Sequence, residues 1–594
     1  MGFVGRPVQP RYGGDASRPV PGEGALLLRP WVPVFTGNQI REAETPLLEA
    51  GEGPALMRRA AHGLAQQVIT LLKVRGGVYG AAVTAVVGSG NNGADALYAL
   101  AMLRRRGVAA TAVLVSTRTH VEALRSLRAA GGRIVETGPL SVGCSEDVGR
   151  PAVPAETAVL IDAVLGTGAR GEFRLPEVSG LREAAASRDC LTVACDIPSG
   201  VEAETGQALG EVLPADHTVT FGGLKLGLLT GEGALLSGEI HQVDIGVEGE
   251  LPTPAAWTLG EPVPRAPVPG RSRWRSRSRP RPQDHKYSRG VLHAVAGSEH
   301  YPGAAQLTVG AAVAVGAGMV TLRAVDSVCQ RLTSAFPEVV ASSRRSRESL
   351  GRASAAVVGP GIGKERSQSQ AMYEVLEWAQ EVHPVVLDAS ALDQLHGRDL
   401  AEGGLSPNIL LTPHRGELRR LMEHAGREDL LSLLEVDAVG ALRGMAEHLR
   451  ATMLLKGPST LIAAPAGEGA GPGGENRLGQ AEEEITAPAP PNGVPADQEL
   501  TEQERVDERR PAPAADVPDS GVSVVLRSFA PGLATAGSGD VLSGILGALA
   551  ATEPEQPLWR TAALGARLHT EAVQRIDPAG EGRFGASALL GALR

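Results

Sequence analysis

Two glycine-rich turns, each joining an apolar strand to a helix, constrain this chain more than any other feature. The first, GSGNNGADALYAL at 88–100, follows the apolar run 82–87, and the second, TAGSGDVLSGILGAL at 535–549, lies far down the chain. Glycine lets backbone approach an anion closely, and the helix N-terminus beyond it offers free N–H groups at the positive end of its dipole. The turns stand too far apart for one site, so two phosphate-handling α/β domains are expected.

The length agrees. At 594 residues the chain exceeds the roughly 250–300 residues at which single cores stop growing. Hydrophobic residues make up 43% but aromatics only 3%, so the cores must be built from Ala, Val and Leu. A formal charge of −10 gives no nucleic-acid signature. The 75 glycines and 42 prolines exceed ordinary usage and imply long segments without a core. Cys144, Cys190, Cys195 and Cys329 form no C-x-x-C pair, and no histidine stands at metal spacing. The cysteines therefore read as small buried hydrophobes in a reducing, cytoplasmic setting. Pro and Gly break the first 25 residues, leaving no secretion signal. The uncharged run 304–322 reads as a buried helix entering a strand, with a membrane span as the alternative.

Residues 1–30 read as a disordered tail. From 31 to 250, apolar runs at 82–87, 110–115, 158–161, 191–195 and 217–220 alternate with helical pattern, which predicts a parallel sheet covered on both faces. Residues 251–284 contain PTP, EPVP and an arginine at every second position from Arg271 to Arg281, and read as a linker. A second α/β domain is expected over 285–594, with strands at 290–296, 318–323, 355–358, 384–387, 409–411, 452–455 and 522–526. Residues 466–520 read as a disordered insertion between two neighbouring strands of that domain.

In the first domain three turns should meet at the carboxyl ends of the strands, where open α/β sheets place ligands. These are Asn91–Asp95; Asp162 with Gly166, Thr167 and Gly168; and Asp196 with Ser199 after a proline-forced turn. Converging carboxylates there serve a bridging cation or acid–base chemistry, or they cap helices. Lys225 either assists by charge or is a solvated loop lysine.

NNGAD at 91–95, DAVLGTG at 162–168, DIPSGVEAETG at 196–206 and ADHTVTFGGLKLGLL at 215–229 resemble the epimerase domain of the bifunctional NAD(P)H-hydrate repair enzymes. The resemblance implies a Rossmann-like three-layer αβα domain holding K+ at Asn92, Asp162 and Ser199. It also implies a hydrated nicotinamide cofactor against Asn91, Asn92, Gly93, Ala94, Asp95, Gly166, Thr167, Gly168, Ala169, Arg170, Gly171, Glu172 and Asp196. Asp196 is the expected proton-transfer group. The family usually reads NNGGDG, and the methyls of Ala94 and Ala96 are expected to crowd a ligand on that turn.

GSEHYPGAAQL, VVGPGIG, LTPHRGE, LLKGPSTLI and ATAGSGDVLSG in the second half resemble the dehydratase domain of the same enzymes, a ribokinase-like αβα fold. Asp540, opening a helix after glycine, reads as the base for an attacking hydroxyl, or GSGD is a simple capped turn. The resemblance implies ADP, accompanied by Mg2+, on Lys456, Gly457, Pro458, Ser459 and Thr460 and on Ala530, Pro531, Gly532, Leu533, Ala534, Thr535, Ala536, Gly537, Ser538 and Gly539. It implies the hydrate against Ala304, Gly361, His414, Arg415, Gly416, Glu417 and Asp540. On the residues alone, His414 is equally a helix cap and Glu417 a solvated first-turn acid. DASAL replaces a usual DADAL at 388–392, and Ser528-Phe529-Ala530-Pro531 replaces a usual Asn-Pro segment.

The resemblance implies a metabolite-repair enzyme acting on NADHX and NADPHX, one domain equilibrating the (6R) and (6S) hydrates and the other dehydrating the S form. A homo-oligomer without membrane or nucleic-acid partners is expected. The alternatives are a ribokinase-like kinase of a small vitamin precursor or sugar with a regulatory N-terminal domain, and a scaffold using the arginine run.

Overall fold

The computed structural model describes residues 31–136, 151–168, 171–260, 284–344, 350–466, 518, 521–528 and 530–593. The tail, Cys144, Ala169, Arg170, Phe529, the arginine run and most of the expected insertion lie outside the described residues.

The first body is a seven-stranded sheet in the order Arg133–Glu136, Ala109–Leu114, Ala82–Val87, Val159–Ala163, Leu191–Cys195, His217–Phe221, Glu239–Val243. Every pair is parallel. Helices Gly53–Val74 and Asn91–Arg105 cover one face through an Ala/Leu/Val cluster, and a smaller cluster around Val86, Val113, Leu160 and Leu181 covers the other. This is the expected three-layer αβα arrangement.

The second sheet has twelve strands: Val340–Ser342, Met319–Arg323, Val291–Val295, Ala355–Val358, Val385–Leu387, Ile409–Leu411, Thr452–Leu455, Ser459–Ala463, Ser523–Arg527, Ala256–Leu259, Trp31–Phe35 and Leu224–Lys225. One face carries helices Pro302–Val315, Ser538–Thr552 and Leu558–Ile576, and the other carries Arg366–Ala379, Arg415–His424 and Ala438–Leu449. The uncharged run at 304–322 is a buried helix followed by a strand, and no helix among the described residues is long and apolar enough to cross a membrane.

Among the departures from the sequence expectation, two bear on the architecture. Ala256–Leu259, inside the expected linker, is a strand antiparallel to Trp31–Phe35; its apolar AWTL run is short and flanked by proline, so composition hides it. The second sheet also takes its last three strands from the N-terminal half of the chain, joined where Trp257 pairs in register with Val524. The chain leaves the sheet at Ala463 and returns at its partner Ser523 in an antiparallel pair, so the expected insertion does join neighbouring strands.

Candidate active sites

At the carboxyl ends of the seven parallel strands, the predicted turns come together. Asn92 Nδ2 donates to the carbonyls of Leu165 (2.8 Å) and Cys195 (2.7 Å). Asp162 accepts from the Ser199 hydroxyl at 2.6 Å and its N–H at 2.8 Å, while Ser199 Oγ accepts from Leu165 N at 2.9 Å. Burial pushes the Asp162 carboxyl upward, and the Ser199 hydrogen bonds oppose it. No cationic side chain ion-pairs with it among the described residues.

Beside this knot, Asp196 sits in the left-handed region at φ +68°, a strained conformation for a non-glycine residue that tight surroundings must hold. Its Oδ1 accepts from Lys225 Nζ at 2.5 Å, Thr220 Oγ1 at 3.2 Å and Phe221 N at 3.3 Å. Lys225 is 1% exposed, so it is a buried partner and not a solvated loop lysine. Asp95 is pushed well above the carboxylate range, first by burial and then by the charges of Asp196 and Glu44, and its Oδ1 is buried without a hydrogen-bond partner. Burial of this kind favours the protonated form of a carboxyl, which can donate a hydrogen bond.

Ala94 and Ala96 are 1% and 0% exposed and belong to the helix-side core. Both methyls thus pack within that core and neither is open to solvent over the turn. Gly166 stays close to the site, since a Cβ there would stand 3.3 Å from Asn92. Gly171 and Glu172 are exposed, and Glu172 pairs with Arg174.

The second site lies over helix Ser538–Thr552. Lys456 Nζ donates to Asp388 Oδ1 at 2.7 Å and lies 3.9 Å from Glu417 Oε2, and Ser543 Oγ donates to Asp388 Oδ2 at 2.6 Å. Asp540, in the first turn behind Gly537 at φ +87°, is raised to about 6 by burial and the neighbouring Asp388 charge, against the pull of Lys456. Asp388 is held low despite burial, because Lys456, Ser543 and Thr412 stabilise its charge. The arrangement leaves one carboxylate firmly ionised and a second titrating near neutrality, as a proton acceptor requires.

His414 is the N-cap of Arg415–His424: its Nδ1 accepts from Gly416 N and Glu417 N, and Glu417 accepts from His414 N at 2.8 Å. The capping reading therefore holds for His414, while Glu417 is buried at 8% exposure and is not the solvated acid considered above. Gly361, at φ +65°, abuts Ala304, as a shared wall demands. The expected nucleotide residues divide. Gly457, Pro458, Pro531, Ala534 and Ala536 are exposed; Thr460, Ala530, Gly532 and Ser538 are buried, and the Ser538 hydroxyl turns inward to Leu533 O. Ser459 Oγ donates to Leu229 O of the N-terminal half at 2.7 Å. A cavity of about 350 Å³ between the halves is lined by Glu204, Thr230, Arg415, Glu435, Lys456 and Ser459 among others.

Along 436 residues the chain is 39% identical to the bifunctional NAD(P)H-hydrate repair enzyme of Mycobacterium tuberculosis, covering 73% of this chain and 82% of that protein. The chain belongs to the bifunctional NAD(P)H-hydrate repair enzyme family. The family model described as YjeF-related protein N-terminus matches 53–227, and the one described as NAD(P)H-hydrate dehydratase matches 292–479. The family member of Escherichia coli is 29% identical over 386 residues, covering 64% of this chain and 68% of that protein. The NAD(P)H-hydrate epimerase of Microbacterium testaceum is 39% identical over 223 residues, covering 37% of this chain and 81% of that protein. The two-domain αβα reading, Rossmann-like then ribokinase-like, stands with this membership.

Sequence reasoning missed two residues of these sites. Glu44, on helix Gly37–Glu49, is raised by burial and shares charge interactions with Lys225 and Asp196; it lies in no glycine-rich turn. Asp388 was read only as the start of DASAL, and its pairing with Lys456 is non-local.

Proposed function

We propose that the chain repairs hydrated NADH and NADPH: the first site interconverts the (6R) and (6S) hydrates, and the second dehydrates the S form while converting ADP to AMP and phosphate. One observation carries this reading. Each sheet ends at a lysine–aspartate pair, Lys225–Asp196 and Lys456–Asp388, with a further acid of raised pKa beside it, Asp95 and Asp540.

The hydrate carries a hydroxyl on a ring carbon next to nitrogen, so breaking and remaking that C–O bond inverts the centre. Asp196 is the proton-transfer group in this reading. Its Lys225 partner fixes the carboxylate, and Asp95 offers a hydrogen bond to the departing oxygen. Asn92, Asp162 and Ser199 with the Leu165 carbonyl form an oxygen-rich cluster around a buried carboxylate with no cationic side chain paired to it among the described residues, which suits K+. Bound there, K+ would neutralise Asp162 and fix the turns that carry the substrate.

Hydroxide leaves poorly, hence the nucleotide. Asp540 takes the proton of the hydrate hydroxyl, its oxygen attacks the terminal phosphorus of ADP, and AMP leaves. Phosphate then departs with the C–O electron pair while the neighbouring ring carbon loses a proton, restoring the dihydronicotinamide. Lys456 and the N-terminus of Ser538–Thr552 oppose the developing charge, and Mg2+ accompanying the nucleotide would supply further positive charge.

The test supplies mixed hydrates and ADP and follows dihydronicotinamide absorbance together with AMP and phosphate. Complete recovery with stoichiometric phosphate supports both sites, and recovery of the S fraction alone removes the epimerase assignment. A stable phosphorylated product without recovery replaces the reading with a kinase.

A further inference from the structure

Among the described residues, one trio of histidine and carboxylate side chains gathers its donor atoms within 4.8 Å of one another: His217, Glu239 and His241. Parallel register explains the meeting. His217 opens one strand, the edge strand Glu239–Val243 lies beside it, and His217 pairs in register with Glu239. Side chains alternate along a strand, so Glu239 and His241 share a face, and His217 shares it with them.

We infer that these three residues form a binding site for a divalent transition-metal ion of the zinc type, separate from both acid clusters. His217 Nδ1 stands 3.1 Å from His241 Nε2 and 3.6 Å from Glu239 Oε2, and His241 Nε2 stands 3.8 Å from Glu239 Oε1. A tetrahedral zinc ion with bonds of about 2.0–2.2 Å spaces its ligand atoms roughly 3.3–3.6 Å apart, so small side-chain rotations suffice. Two imidazoles and one carboxylate are a recurrent zinc donor set that leaves a fourth position open. Gln67, from the covering helix Gly53–Val74, brings its side-chain amide to 3.2 Å from the same His241 nitrogen. Rotating that amide presents its oxygen as a fourth donor, and water is the alternative. Access is open, since the Glu239 side chain is 70% exposed while the imidazoles are 15% and 21% exposed.

The place in the fold sets the role. His217 is the first residue of its strand, and Phe221, whose N–H bonds Asp196, is the last. Four residues of strand put the trio ~13 Å from that carboxylate, at the opposite end of the sheet. An ion here ties the edge strand to its neighbour and to the covering helix, and takes no part in the chemistry. No local spacing in the sequence shows this trio: the two histidines stand 24 positions apart, and only strand pairing joins them.

The full chain, without a histidine tag and stripped with chelator, is titrated calorimetrically with Zn2+, and the Co2+ form is read by its visible absorption. One equivalent is expected to bind with Kd under about 10 µM and a four-coordinate cobalt spectrum, and His241→Gln and His217→Gln each weaken it at least about tenfold. Hydrate repair by the metal-free variants equals that of the metal-free parent. Glu239→Gln, at an exposed position that leaves the fold intact, is expected to weaken binding in the same direction. Parental affinity in the two histidine variants overturns the site, as does no binding by the parent at about 100 µM Zn2+.

Discussion

Asp540→Asn separates the charge of the proposed base from its shape. In the folded chain Asp540 is raised to about 6, chiefly by burial and then by Asp388. Its ordinary value is 3.8, so the shift of about two pH units corresponds to roughly 3 kcal/mol. The sign follows from proton binding. Between pH 3.8 and about 6 the folded chain keeps a proton that the unfolded chain has lost. The favourable contribution is thus full below the unfolded value and is lost as pH rises to the folded one. Asparagine does not titrate. The variant should therefore match the parent near pH 4 and exceed it by roughly 2–3 kcal/mol at pH 7.5. Tryptophan fluorescence in urea suits the measurement, because Trp31, Trp257 and Trp559 all lie in or against the twelve-stranded sheet. Dehydration by the parent should fall through an acid limb near pH 6, and the variant should not dehydrate at any pH. A stability difference that does not change with pH refutes the electrostatic reasoning, and a variant with parental turnover refutes the base.

Three further substitutions probe other links. Lys225→Met strands the Asp196 carboxylate and should cost roughly 3 kcal/mol, stopping epimerisation while dehydration of purified S hydrate continues; unchanged epimerisation would remove Lys225 from the site. Ala94→Gly takes a buried methyl from a helix and should lower stability by about 1–2 kcal/mol with epimerase kcat/KM unchanged, whereas a several-fold gain in activity would mean that the methyl obstructs the ligand after all. A Cβ on Gly359, at φ +126°, would lie 1.7 Å from the Asp388 carbonyl. Gly359→Ala should therefore displace Asp388 and Lys456 and cost roughly 3 kcal/mol or more, read as lost soluble yield and dehydration, and full activity would show that the backbone yields there.

Most of the parallel strands were legible because they are short apolar runs closed by a turn signal, as at Ala82–Val87, Leu191–Cys195 and Ile409–Leu411, whereas the polar edge strands Arg133–Glu136 and Glu239–Val243 were not read. The acids near those turns were legible for a related reason: Asp162 is next to last in its strand, Asp196 directly follows one, and Asp540 comes after Gly539 in the first turn of its helix. What local pattern hid was pairing across distance. Leu224–Lys225 is two residues long, and no periodicity resolves it. Glu44 and Asp388 reach their partners only through the fold. Residue identity alone also left the meaning of Ala94 open, since only the helix phase turns its methyl to the core.

The strands that pattern missed decide how the two sites relate. Lys225 stands on the outermost strand of the twelve-stranded sheet, yet its ammonium holds Asp196 at the end of the seven-stranded one. Four residues on, the Leu229 carbonyl accepts from Ser459, three residues past Lys456 of the second site. Arg527, on the strand next to Ala256–Leu259, donates to the carbonyls of Ala234 and Gly238, and the Trp31 and Trp559 rings meet edge-on at 5.1 Å. Strands, carbonyls and core are thus shared between the two halves. Severing the halves would leave the edge of Ser523–Arg527 unpaired and the apolar side chains around Val34 and Trp257 in water. The fusion is therefore a structural dependence built at the strands themselves, and it sets Asp196 and Lys456 in one continuous scaffold.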